Sequence, residues 1–337
     1  MKYLSINIEK YMEKGGGMPK VWVDPNQVAI TGLSSGAYMT VQMHVAYSKT
    51  FTKGAGVVAG GPFYCSRGNT NKWIQPCMQH TGDLGIDDLE KLTRDWAAKG
   101  LIDDPENLGN SKVYLFSGKN DMMVNYKVMN DLENYYNRFM DTKKIYHHQH
   151  PDANHAIITD LATNHCPLLM PPYLSRCADL DSIGEMLEFL FGTMNPRSQK
   201  EPKQPLKSFS QDAFGDIPNF GFAGYLYVPA NCEKRGSTPP AKLCKLLVAV
   251  HGCGQSTESM GSGTSGWDFV KYAGYNYWAD TNDIVILYPQ IGMPKIKDFW
   301  EMLSPGFVTK AVENVGCWYL SFYQFLSFFY IFLGDLF

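Results

Sequence analysis

The stretch "ITGLSSGAYMT", Ile30–Thr40, sets two serines between two glycines, directly after a short apolar run and directly before a run with helical spacing. Gly32, Leu33, Ser34, Ser35 and Gly36 spell G-x-S-x-G with Ser34 at the centre. "QVAIT", from Gln27, reads as a strand and "AYMTVQMHVAYS" as a helix. That strand–turn–helix setting is what gives the pentapeptide chemical meaning. A turn this sharp lifts its central side chain above the sheet, and it needs small neighbours because backbone crowds backbone there. The reading makes Ser34 a nucleophile. Ser35 then offers its backbone N–H from a helix N-terminus to a developing negative charge. An ordinary Gly/Ser turn has the same letters, so the reading depends on partners elsewhere in the chain.

On either side, continuous apolar runs alternate with helical patterns: "GAGVVAGG", "DDLEKLTRDWAAK", "KVYLFSG", "YKVMNDLENYYNRFM", "KKIYHHQH" and "LDSIGEMLEFLFG". Strands that are apolar throughout and separated by helices predict an α/β fold, a mostly parallel sheet with helices on both faces. Residues 193–221, polar and rich in Pro and Lys, read as a connector. Beyond it "GYLYVPANC", "KLLVAVHG" and "DIVILYPQ" read as strands and "GWDFVKYAGYNYWADTN" as one helix. These are too few strands for a fold of their own. The expected organisation is a lead-in over 1–26, a single domain over 27–317 drawing strands from both halves, and an atypical tail over 318–337.

A serine hydroxyl needs an imidazole to take its proton, and the imidazole needs a carboxylate to orient it. In this architecture the chain order is Ser, then Asp or Glu, then His, each on a loop after a strand. "KVYLFSGKNDMMV" puts Asp121 just past a strand, and "KKIYHHQHPDANHAI" runs off the next strand into a loop carrying His155. Asp152 is a weaker candidate for the acid. His147, His148 and His150 suggest a metal, but no carboxylate cluster at ligand spacing accompanies them, and a solvated strand end is the favoured reading. "VAVHGCGQS", Val248–Ser256, is a strand entering a Gly-rich turn like the loop that supplies hydrolases with a second oxyanion donor, here the N–H of Cys253. In most such enzymes that loop precedes the nucleophile, so its late position predicts a circularly permuted α/β-hydrolase order, which adjacent termini tolerate.

The chain of 337 residues is 45% apolar and 19% charged, with net charge −3 and no basic stripe, which argues against nucleic acid and toward a neutral or apolar substrate. Eight cysteines allow about 105 pairings. Local closure favours Cys65–Cys77, Cys166–Cys177 and Cys232–Cys244, leaving Cys253 for Cys317, and the absence of C-x-x-C weakens zinc and redox readings. Such cysteine usage predicts a secreted protein. The first twenty residues nevertheless show no apolar h-region of a signal peptide. Cys317–Phe337, almost wholly apolar and aromatic, reads as a buried terminal helix or as sequence foreign to the fold rather than a membrane anchor, because it lacks basic flanks.

Together "GLSSGAYMTVQMHVAYS", "GAGVVAGGPFYC", "GKNDMMV", "DANHA", "GYLYVP" and "VAVHGCGQS" resemble the single-domain, fungal-type poly(3-hydroxybutyrate) depolymerases and their esterase relatives. The resemblance runs from about Val28 to Gln290. It implies a circularly permuted α/β hydrolase with Ser34 as nucleophile, His155 as base, Asp121 as orienting acid, and the N–H groups of Ser35 and Cys253 as the oxyanion hole. It further implies extracellular hydrolysis of polyester to short hydroxyacid oligomers, with no metal or other cofactor. Past "VGCW" the chain departs from the family pattern; Trp318 is a candidate aromatic wall of the substrate cleft. Two rival functions are an esterase on small or feruloyl-type esters and a non-catalytic secreted binding protein that keeps the fold.

Overall fold

A computed structural model describes residues 19–214, 220–234, 238–258 and 266–292. In chain order its elements are β1 Val23–Leu33, α1 Ser35–Ala46, β2 Gly54–Val58, α2 Thr70–Gln79, α3 Ile86–Ala98, β3 Lys112–Gly118, α4 Tyr126–Tyr136 and β4 Ile145–His150. There follow β5 Ile157–Ile158, β6 Asn164–His165, β7 Leu174–Arg176, α5 Ser182–Phe191, β8 Lys207–Ser210, β9 Ala223–Tyr227, β10 Cys244–Val250, α6 Trp267–Tyr272, α7 Tyr275–Asn282 and β11 Ile284–Tyr288. The main sheet has the order β4-β3-β2-β1-β10-β11-β9-β8, with β5, β7 and β6 forming a small second sheet. The result is an α/β fold on a mostly parallel, mixed sheet.

Alternate side chains of each central strand enter two cores, one per face of the sheet. Ile30, Val113, Leu115, Leu246 and Val248 pack on one side with Val41 and Met43 of α1 and Leu132 of α4. Ala29, Tyr114, Phe116, Leu247 and Ala249 pack on the other with Met186 and Leu187 of α5 and Ala279 of α7. Burial on both faces explains why these strands read as unbroken apolar runs. Among the described residues no helix is long and apolar enough to cross a membrane.

Four features depart from the sequence reading. The strand before the serines starts at Val23 rather than Gln27, and Val23 pairs with Cys244. Within the supposed connector 193–221 lies β8, paired antiparallel with β9, which is itself antiparallel to β11. As the sheet's last strand, β8 has only Phe209 fully buried, so it shows no apolar run. The segment "GWDFVKYAGYNYWADTN" is two helices, α6 and α7, broken where Gly274 takes φ of +104°, a conformation glycine adopts without strain. Helix α2 was not anticipated; it contains Pro76, an unfavourable residue in a helix interior.

Candidate active site

Strand β1 sits at the middle of the sheet, and its carboxyl end is where the chain's early strands (β2, β3, β4) and late strands (β10, β11) diverge to opposite sides. Crevices of open α/β sheets form at such switch points. Ser34 stands there, between β1 and α1, with φ 57° and ψ −124°, a backbone region that costs a non-glycine residue about 1–3 kcal/mol. The flanking glycines permit the turn. A Cβ on Gly32 would lie 2.4 Å from the Gly36 carbonyl oxygen, and one on Gly36 would lie 2.3 Å from that of Val250. The Ser34 N–H donates to Val58 O at 2.9 Å, which ties the turn to β2. Ser35 is buried at the first turn of α1, its hydroxyl without a hydrogen-bond partner among the described residues, whereas Ser34 is half-buried.

Asp121 and His155 come from the loops after β3 and β4. His155 Nδ1 donates to Asp121 Oδ2 at 2.8 Å, with the two side chains 5% and 1% exposed. The other carboxylate oxygen of Asp121 accepts the N–H groups of Met123 and Val124, each at 2.8 Å, so the carboxylate cannot swing away. With its Nδ1 proton engaged, the imidazole keeps Nε2 as its acceptor. The two loops pack closely: a Cβ on Gly118 would stand 2.1 Å from Ala153 O, and Asn120 N–H donates to that same oxygen at 3.2 Å. Asn154 accepts from the backbone N–H groups of His155 and Met122, and its amide donates to Pro167 O. The ring of Tyr173 lies edge-on to His155, with centroids 6.2 Å apart. Among the described residues no hydrogen bond joins Ser34 to His155. Asp152 meets the same loops through its backbone, accepting from the Asn120 side chain and donating to His150, while the carboxylate bonded to His155 is that of Asp121.

The turn after β10 lies against Ser34: a Cβ on Gly252 would be 3.4 Å from Ser34 Cβ. Gly252 O accepts from Gln255 N at 3.2 Å, and Gly254 between them has φ of +73°. The ring of His251 accepts from Ile291 N at Nε2, which puts its proton on Nδ1, and Nδ1 donates to Gly252 O at 2.8 Å. Burial pushes the His251 pKa down to about 4, so the ring is neutral. The Gly252 carbonyl and the Cys253 N–H share one planar trans peptide unit. Fixing the carbonyl therefore fixes the direction of the N–H.

The remaining sequence candidates separate clearly. His147 lies between Glu133 Oε2 at 2.8 Å and Ser117 Oγ at 2.9 Å, His148 donates to Glu185, and His150 Nδ1 accepts two backbone N–H groups, so the three rings have separate partners. Ser117···His147···Glu133 thus has the hydrogen bonds of a triad, but Ser117 is only 1% exposed and sits inside regular β3. His150 also lies near the sulfurs of Cys166 and Cys177, which are joined in a disulfide and hold no thiolate for a metal. Disulfides join Cys65–Cys77, Cys166–Cys177 and Cys232–Cys244. Cys253 is disulfide-bonded. Its expected partner Cys317, Trp318 and the 318–337 tail lie outside the described residues. Sequence reasoning missed His251, Gln255 and Tyr173; only the first carried a signal, as the residue ending an apolar strand before the glycine turn.

No family model matches the chain. It is 42% identical over 287 residues to poly(3-hydroxybutyrate) depolymerase of Delftia acidovorans, covering 84% of this chain and 56% of that protein. It is 37% identical over 276 residues to polyhydroxybutyrate depolymerase of Talaromyces funiculosus, covering 81% of this chain and 77% of that one. The chain belongs to the poly(3-hydroxybutyrate) depolymerase family. It spans about half the length of the Delftia relative. The crystal structure of PHB depolymerase from Penicillium funiculosum superposes with TM-score 0.72 at 36% identity, over 82% of this chain and 83% of that one. A second family structure, a serine-to-alanine variant complexed with an R3HB trimer, superposes with TM-score 0.73 at the same identity.

Proposed function

We propose that this chain is a secreted serine esterase that hydrolyses poly(3-hydroxybutyrate) to short hydroxyacid oligomers through an acyl-enzyme. The observation that carries the reading is the strained Ser34 turn at the same sheet edge as the Asp121–His155 pair, in a chain similar to depolymerases along most of its length. Ser34 attacks the ester carbonyl while His155 Nε2 takes its proton, and Asp121 stabilises the imidazolium. The N–H groups of Ser35 and Cys253 hold the oxyanion. His155 then protonates the leaving alkoxide, and in the second half of the cycle it activates water to release the hydroxyacid. A trimer of the same monomer in a family structure supports a polyester chain as substrate.

The strand order supports a circularly permuted hydrolase arrangement, because β10, which ends in the oxyanion turn, lies beside β1 although it comes later in the chain. Residues 27–317 act as one domain in this reading, with 1–26 leading in. Three disulfides support an oxidising compartment. The test is release of 3-hydroxybutyrate and its oligomers from polymer film, alongside hydrolysis of p-nitrophenyl butyrate. Ser34→Ala is expected to lower both rates by roughly 10⁴-fold or more with an unchanged melting temperature. Wild-type rates in that variant would overturn the assignment, and hydrolysis of soluble ester without attack on film would move the substrate to small esters.

A further inference from the structure

We propose that Gln255 is a positioning residue that sets the oxyanion turn at its working distance from the histidine loop. The inference rests on the roles given above to Cys253 N–H and His155. Gln255 is 2% exposed and uses both ends of its side-chain amide. Its Oε1 accepts Gly252 N–H at 2.8 Å, and its Nε2 donates to Pro172 O at 2.7 Å, 83 residues away in the chain. Its own backbone N–H closes the turn onto Gly252 O at 3.2 Å. One residue therefore holds Gly252 from both sides of its backbone, and through it the adjoining peptide plane that carries Cys253 N–H.

The other end of the strap reaches the base. Pro172 is followed directly by Tyr173, whose ring stands edge-on to His155 and whose carbonyl accepts the N–H of Ile157, two residues past His155, at 3.0 Å. The segment 172–173 thus braces the imidazole from one side while Gln255 holds it to the donor turn. A primary amide suits this place because it sets an acceptor oxygen and an NH2 donor group side by side on one rigid plane. A misplacement of about 1 Å between donor and base lowers turnover much more than substrate binding.

The experiment measures kcat and KM on p-nitrophenyl butyrate, and inhibition by an alkyl trifluoromethyl ketone whose adduct with a serine hydroxyl carries an oxyanion, for wild type, Gln255→Met and Gln255→Asn. Methionine keeps the volume and loses both polar ends, whereas asparagine keeps both and falls one methylene short of spanning them. In each variant kcat is expected to fall roughly 10- to 100-fold, below the loss from deleting a donor outright, with KM within about threefold. The inhibition constant for the ketone is expected to rise by a comparable factor. Unchanged kcat per folded molecule in both variants, whatever happens to melting temperature, would reduce Gln255 to a structural residue and overturn the proposal. A wild type that neither hydrolyses the ester nor binds the ketone would instead overturn the reading of Ser34, and this proposal with it.

Discussion

Two histidines outside the proposed triad are wholly buried, and their titration couples the acid stability of the protein to single residues. His44 lies between Tyr136 Oη and Ser111 Oγ, each at 3.0 Å, and burial pushes its pKa down to about 3; His251 is pushed to about 4. Unfolded, each titrates near 6.5. As pH falls below 6.5 the unfolded chain takes up protons that the folded chain refuses, so stability is lost with acidification until the folded rings titrate near 3 and 4. Each ring contributes a slope of about 1.4 kcal/mol per pH unit across that window. Asp181 and Glu258, raised by burial, work in the opposite sense at the lower end. Urea unfolding at pH 6.5 and 4.5 is expected to show a loss of stability smaller by about 2–3 kcal/mol in His44→Gln than in wild type. An identical pH dependence in the two proteins would contradict this assignment. At the same scale the Ser34 turn was readable in the sequence because its glycines answer a local steric demand. Gln255 and Tyr173 were not, since their partners lie 83 and 18 residues away in the chain and leave no periodic trace.

Loops rather than strands decide how firmly the proposed base is held. Cys166 O accepts the Asn154 N–H at 3.2 Å, and the Asn154 side chain reaches Pro167 O at 3.1 Å, so the segment closed by Cys166–Cys177 is the wall behind His155. Each described bridge closes a loop with a sequence separation of 11 or 12. Loops of that size are worth about 3 kcal/mol. Dithiothreitol is therefore expected to lower the melting temperature by several degrees, and the double variant Cys166→Ser, Cys177→Ala to lose turnover as well as stability. A melting curve insensitive to reductant, with full activity in the double variant, would contradict both statements. Strands buried on both faces were legible as unbroken apolar runs. The edge strand β8 and helix α2 were not: the first buries only Phe209, and the second carries Pro76.

Taken as a whole, the chain gathers the residues of the proposed site at one edge of one sheet from segments far apart in sequence: Ser34 after β1, Asp121 after β3, His155 after β4 and the Gly252–Gln255 turn after β10. Chain order along an α/β sheet made the first three readable, because loops after parallel strands share an edge. Hydrogen bonding alone does not select the nucleophile, since Ser117, His147 and Glu133 are linked in the same way. What separates Ser34 is its strained turn and its partial exposure, against the fully buried Ser117. The most direct measurement is labelling of the folded protein with a fluorophosphonate, followed by peptide mapping. One adduct is expected, on Ser34, abolished in Asp121→Asn and His155→Ala at labelling times that saturate wild type. Absence of an adduct, or its appearance on Ser117 or Ser35, would contradict it.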